Sequence, residues 1–275
     1  MGRRPLAGLR NRLVVFPLLS LVLSLGLAAA PPPAHGWSEA SQLEIATAAA
    51  RLAPPDLARQ IEKHKSRFRE GVLKPFRDGD PTRHEKNPDG SGVLDLVIAD
   101  ETRRAIDYIR SHRPFYDIIE QLGVVLHFVA DANHPLHVSA DDPGESGYAA
   151  DYVRYVTTAQ PRFAAAYYGQ DRRLDDVAAV PAFVSRTFGR SRSLYPFVGA
   201  EYRRIGGRSG VGVFDDRSTA FGVAAVSFSR ALTDGAAMLR LVWLEAGGAD
   251  PLRRPSIDSD RIVKLPRGDR ARKSP

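Results

Sequence analysis

Apolar residues recur at helical spacing along most of the chain, and prolines and glycines punctuate them. Leu122, Val125, Leu126 and Val129 mark one helix. Pro114 stands where its first turn could begin, and Pro135 stops it by disfavouring the α region for His134. Residues 38–53 read as a first helix capped by Ser38 and ended by Pro54-Pro55, with Leu43, Ile45, Ala48 and Leu52 as its apolar positions. Residues 56–70 read as a second, with Asp56 as cap and Gly71 at its end. A loop rich in Gly, Pro and Asp follows over 71–92. Residues 94–112 give a third helix, with Ile98, Ala105, Ile106 and Ile109 on its buried face. After the helix that follows Pro114 and stops at Pro135, the pattern predicts a polar loop at 139–146 and a helix from about 147. One or two more helices fill 174–205, interrupted at Pro181 and Pro196. A long apolar helix spans 215–246, with Thr233, Asp234 and Gly235 as a turn or kink. The reading is all-α: a single multi-helix domain over 37–246.

The two ends differ from this body. The first 36 residues read as a secretory signal peptide. Arg3, Arg4, Arg10 and Arg12 give a positive start, an apolar run fills 13–30, and Ala34-His35-Gly36 offers a cleavage junction. The run is also near spanning length, so an uncleaved membrane anchor is the alternative. Residues 247–275 read as a disordered basic tail without periodicity. The net charge of +7 lies in these ends. Four arginines precede residue 37, and eight Lys/Arg against three Asp follow residue 250, which leaves the body at about −2. A nucleic-acid grip through a basic surface is not indicated. With no cysteine, no disulfide holds the fold. No Gly-rich phosphate loop, CxxC or G-x-S-x-G is present.

Candidate chemistry concentrates in LGVVLHFVADANHPLH, residues 122–137. His127 and Asp131 are four apart, so a helix stacks them on one face. His137 follows Pro135 and can bend back toward them. Imidazole and carboxylate are the usual ligands of Zn²⁺. The alternative is three satisfied structural residues. Burying His and Asp in an apolar run costs free energy unless they are paired or coordinated.

His127, Asp131, Pro135 and His137 match H-x-x-x-D-x-x-x-P-x-H, and the segment resembles the signature of the zinc-dependent phospholipase C and S1–P1 nuclease superfamily. The resemblance implies an all-helical secreted phosphodiesterase with up to three zinc ions in a cleft. It implies that Trp37, exposed by cleavage after Gly36, chelates zinc through its α-amino group and carbonyl; plain packing of Trp37 is the alternative. It implies a loop Asp and His for the first zinc. His84 is the candidate imidazole, otherwise an exposed loop residue. Asp78, with Asp80 as the alternative, is the candidate acid and the catalytic candidate. The sequence also departs from the family. First-helix histidines are replaced by Gln42 or Ala50, and a later His/acid pair by Ala149 and Val153. No histidine follows His137. The expectation is therefore about one zinc, held by His84, His127 and Asp131, with His137 as an orphan ligand of a second site.

Three readings follow. One is a secreted or periplasmic, monomeric zinc-dependent hydrolase of phospholipid or single-stranded nucleic-acid phosphodiesters, with no membrane span after processing. Another is an inactive relative acting as a binding module. The third is an unrelated helical protein.

Overall fold

The computed structural model describes Gly2, residues 36–249 and residues 263–264. The signal-peptide reading therefore lies almost wholly outside the described residues. Ten α-helices occur among them: α1 Glu39–Ala50, α2 Pro55–Lys63, α3 Lys65–Leu73, α4 Leu94–Arg110, α5 Phe115–Ala132, α6 Ala149–Ala159, α7 Val180–Arg192, α8 Tyr195–Arg204, α9 Gly210–Val213 and α10 Thr219–Glu245. The fold is all-α. The strands are two residues each: β1, Ala166–Tyr167, pairs antiparallel with β2, Val263–Lys264, in the C-terminal tail. Among the described residues no helix is long and apolar enough to cross a membrane.

α5 is the centre of the packing. Nearly every residue from Ile118 to Ala132 is buried, as a helix that is apolar all round must be. It packs against α3, α4 and α10, and α10 also covers α1. Leu122, Val125, Leu126 and Phe128 join one part of the core with α3, α4 and α7. Trp37, Ala130, Tyr152 and Phe228 join an adjoining part with α6, α8 and α10.

Local signals set many helix ends. Ser38 Oγ accepts from Ser41 N at 3.2 Å and caps α1. Pro114 precedes α5, and Pro135 opens a short 3-10 turn, Pro135–His137. Pro181 and Pro196 start α7 and α8 in their first turns rather than interrupting a helix, as expected where the missing N–H bonds nothing.

Tertiary contacts overrule three other expectations. The helix expected over 56–70 breaks at His64 into α2 and α3. Gly71 does not end it but lies inside α3. A Cβ there would come within 3.0 Å of the Glu120 carbonyl, and one on Gly123 within 3.0 Å of the Phe68 carbonyl. The two glycines let the α3 and α5 backbones touch. Likewise α10 runs unbroken through Thr233, Asp234 and Gly235. Gly235 is there for close packing: its Cβ would meet Ala49 Cβ at 3.1 Å and Leu126 Cδ2 at 3.2 Å.

Candidate metal centre

The glycine crossing of α3 and α5 places the Val72 carbonyl against His127. His127 Nδ1 lies 2.8 Å from that oxygen. A carbonyl can only accept, so Nδ1 carries the proton and Nε2 presents its lone pair. This is the arrangement that orients a metal-binding imidazole.

Nε2 points at a second imidazole and a carboxylate. His84 ends the 3-10 turn Pro81–His84, which Asp80 caps by accepting from Thr82 N at 3.0 Å. His84 Nδ1 lies 2.8 Å from Asp131 Oδ2 and 3.3 Å from His127 Nε2. His127 Nε2 lies 3.2 Å from the same oxygen. A tetrahedral zinc with bonds of about 2.0–2.1 Å separates its ligands by about 3.3 Å. Two sides of the triangle match that spacing; the third is a charge-assisted hydrogen bond. The group could hold a metal ion, and its donor set fits zinc.

Electrostatics point the same way. Burial opposes ionisation of Asp131, yet its interactions with His127, His137 and His84 hold its carboxyl well below the usual range. Burial also disfavours charge on His84, but its bond to Asp131 and the charges of Asp131 and Asp78 push it upward. His84 Nδ1 thus donates to a carboxylate whose burial would otherwise be costly.

The other oxygen of Asp131 faces the N-terminal segment. Oδ1 accepts from Gln42 Nε2 at 2.8 Å and lies 3.8 Å from His137 Nε2. Gln42 thus holds that oxygen of Asp131 in place. The Gly36 amide donates to His137 Nε2 at 2.6 Å. Trp37 is 1% exposed. Its indole N–H donates to Ala130 O at 2.8 Å, and its ring meets His134 edge-on at 4.8 Å. Trp37 therefore packs beside the centre, with its α-nitrogen in a peptide bond to Gly36.

The remaining candidates stand outside the triangle. Asp78 Oδ2 accepts from Arg83 at 2.6 Å, and Arg83 also pairs with the buried Glu101 at 3.2 Å. Asp80 is spent on its cap. The Phe76 ring, just before Asp78, lies 4.8 Å from that of His127. Asp151 ties down the turn after α8 by accepting from Tyr202 Oη, Ser209 Oγ and Gly210 N at 2.8, 2.7 and 2.6 Å.

Sequence reasoning missed the roles of Gln42, Val72 and Phe76. One available signal was a polar Gln42 beside the apolar positions of α1. The other was a pair of glycines inside two helical patterns.

Access is limited. His84, His127 and Asp131 are 3%, 1% and 2% exposed. A cavity of about 380 Å³ opens beside Ser139, Asp141, Arg192 and Tyr195, but none of the three lines it. Arg192 closes the gap by donating to Val138 O at 2.7 Å and Lys86 O at 2.8 Å. It thus staples the segment after His137 to the segment after His84.

No family model matches the chain, and no curated protein matches it. Among solved structures, the chain is similar to Clostridium perfringens alpha-toxin from an avian strain. The TM-score is 0.57 at 13% identity, over 80% of this chain and 67% of the toxin. At that identity the likeness establishes the fold.

Proposed function

We propose that the chain binds one zinc ion through His84 Nδ1, His127 Nε2 and Asp131 and hydrolyses phosphodiester bonds. The buried His–His–Asp triangle, with His127 fixed by the Val72 carbonyl, carries this reading. The alpha-toxin-like fold and the signature segment support it. Three protein ligands leave one tetrahedral position for water or substrate. When bound, zinc supplies a Lewis acid for a phosphoryl oxygen and lowers the pKa of water. His127 keeps its lone pair directed by donating to Val72 O, and Gln42 holds Asp131 in place. Asp78 acts on the centre through its charge, paired with Arg83. Phospholipid and single-stranded nucleic-acid esters are the candidate substrates, and the protein acts as a monomer.

Metal analysis and turnover of bis(p-nitrophenyl) phosphate test the proposal. About one zinc per chain is expected, with metal and turnover both lost in His127→Ala. Zinc without turnover would support a second reading, a binding module with a structural zinc. The burial of all three ligands and the Phe76 ring beside His127 favour that alternative.

The same reading extends to processing. We propose export, to the periplasm or the medium, with removal of residues 1–36. Cleavage after Gly36 would remove the amide that donates to His137 Nε2 and free the α-amine of the next residue, Trp37. N-terminal sequencing of the exported protein should begin at Trp37; a retained leader would exclude that amine as a ligand.

A further inference from the structure

A second polar cavity lies between α7, the middle of α10 and the loop after β1. Its volume is about 360 Å³, at the lower end of small-molecule sites. None of His84, His127, Asp131 and His137 lines it.

Its two carboxylates are already occupied by arginine. Asp234 forms the floor and is buried. Its Oδ2 accepts from Arg190 at 2.7 Å and from Thr187 Oγ1 and Asn133 Nδ2 at 3.0 Å. Asp171 accepts from the backbone N and Nε of Arg173 at 3.0 and 2.9 Å, and from Arg186 at 3.0 Å.

Positive charge is left over. Arg172 lines the cavity, is exposed, and has no ion-pair partner among the described residues. Arg190 Nε is buried and makes no hydrogen bond among them. Arg230 lies alongside, donating to the Arg190 carbonyl at 3.3 Å. Burial, and after it the charge of Arg190, lowers the Arg230 pKa. Among the described residues that line the cavity, Arg172, Arg173 and Arg190 thus face Asp171 and Asp234, with Arg186 and Arg230 alongside, in a body of net charge about −2.

The wall is also preset. Ala166 N donates to Ser229 Oγ and Tyr168 N to Thr233 Oγ1, each at 3.1 Å. Gly169 turns the loop at φ 90°, a conformation glycine adopts without strain. A wall fixed before binding lowers the ordering cost of a ligand.

We propose that this cavity binds a dianionic phosphate group, free or as the monoester of a small molecule, through Arg172, Arg173 and Arg190. The planar guanidinium fork suits phosphate oxygens, and each such bond is charge-assisted. The assignment does not depend on any metal at His127.

Calorimetric titration of the full chain with inorganic phosphate and with phenyl phosphate, with and without a chelator, tests it. Saturable binding of one anion per chain is expected in both conditions. Arg172→Glu should weaken it about tenfold or more while zinc content and ligand-free melting temperature stay unchanged. Tighter binding of phenyl phosphate assigns a monoester; equal or tighter binding of inorganic phosphate assigns the free anion. The proposal is overturned if no saturable binding occurs. It is equally overturned if binding needs zinc, disappears in His127→Ala and survives Arg172→Glu.

Discussion

Two aspartates sit deep in this fold on its two longest helices, and their surroundings differ in kind. Asp131 on α5 faces three imidazoles and an amide: His84, His127, His137 and Gln42. Asp234 on α10 faces Arg190, Thr187 and Asn133. Burial outweighs these partners at Asp234 and raises its pKa, whereas the partners of Asp131 outweigh burial and lower it. Imidazoles can give a lone pair to a metal; a guanidinium cannot. The first arrangement is a set of donors that could hold a metal, and the second is a carboxylate paired with arginine beside a cavity.

The largest effect should come from the backbone crossing that builds the first arrangement. Gly71→Ala drives a Cβ into the Glu120 carbonyl, a backbone atom that cannot step aside. A loss of about 3 kcal/mol or more is expected by chemical denaturation. Gly235→Ala, beside Asp234, meets side-chain atoms at 3.1 and 3.2 Å. It gains about 1 kcal/mol of helix propensity, so its net change should stay within about 1 kcal/mol. Equal losses at the two sites would mean that the α3–α5 contact is not the tighter one.

Arg190→Met comes next. It leaves the buried Asp234 hydrogen-bonded to the neutral Asn133 and Thr187. Arg190 is itself 36% exposed, so the loss should be about 2 kcal/mol, below that of a fully buried pair. Asp234→Asn in the same chain should restore most of it. Failure of that rescue in a thermal melt would show that Arg190 stabilises through packing alone.

Gln42→Ala should act on metal affinity instead. Losing the bond that orients Asp131 should weaken zinc binding about tenfold, read by competition with a chelating dye. Unchanged affinity would mean that Gln42 only fills space.

The smallest effect concerns Asp171. Burial works against its ionisation, but hydrogen bonds from Arg173 and Arg186 hold its pKa at about 2. A depressed carboxylate contributes stability above its unfolded pKa of 3.8 and loses it as the pH falls toward 2. Asp171→Asn should flatten that part of the acid-unfolding curve. An unchanged curve would remove Asp171 from the charge accounting of the cavity.

What could be read in the sequence was local. The Ser38 cap, the start of α5 after Pro114 and its stop before Pro135 follow from one or two residues each. The i,i+4 pairing of His127 and Asp131 follows from helix geometry. What escaped depends on contacts between distant segments. Gly71 and Gly235 read as punctuation because nothing near them in sequence reveals the backbone or side chain they must admit. His84 was reachable through the family resemblance, since a histidine in a Gly/Pro/Asp-rich loop carries no local sign of burial. Gln42 was noticed for the histidine it replaces, and only the packing of α1 on α5 revealed its bond to Asp131.

The hydrogen bond between His84 and Asp131 also sets the terms of metal uptake. The proton on His84 Nδ1 occupies the position from which that nitrogen would coordinate. A divalent cation could bind that nitrogen only once the proton has left it, for the solvent or for Nε2. Loading would then compete with protonation of the imidazoles, so the affinity would fall in acid. An acidic compartment would unload the centre without any chelator.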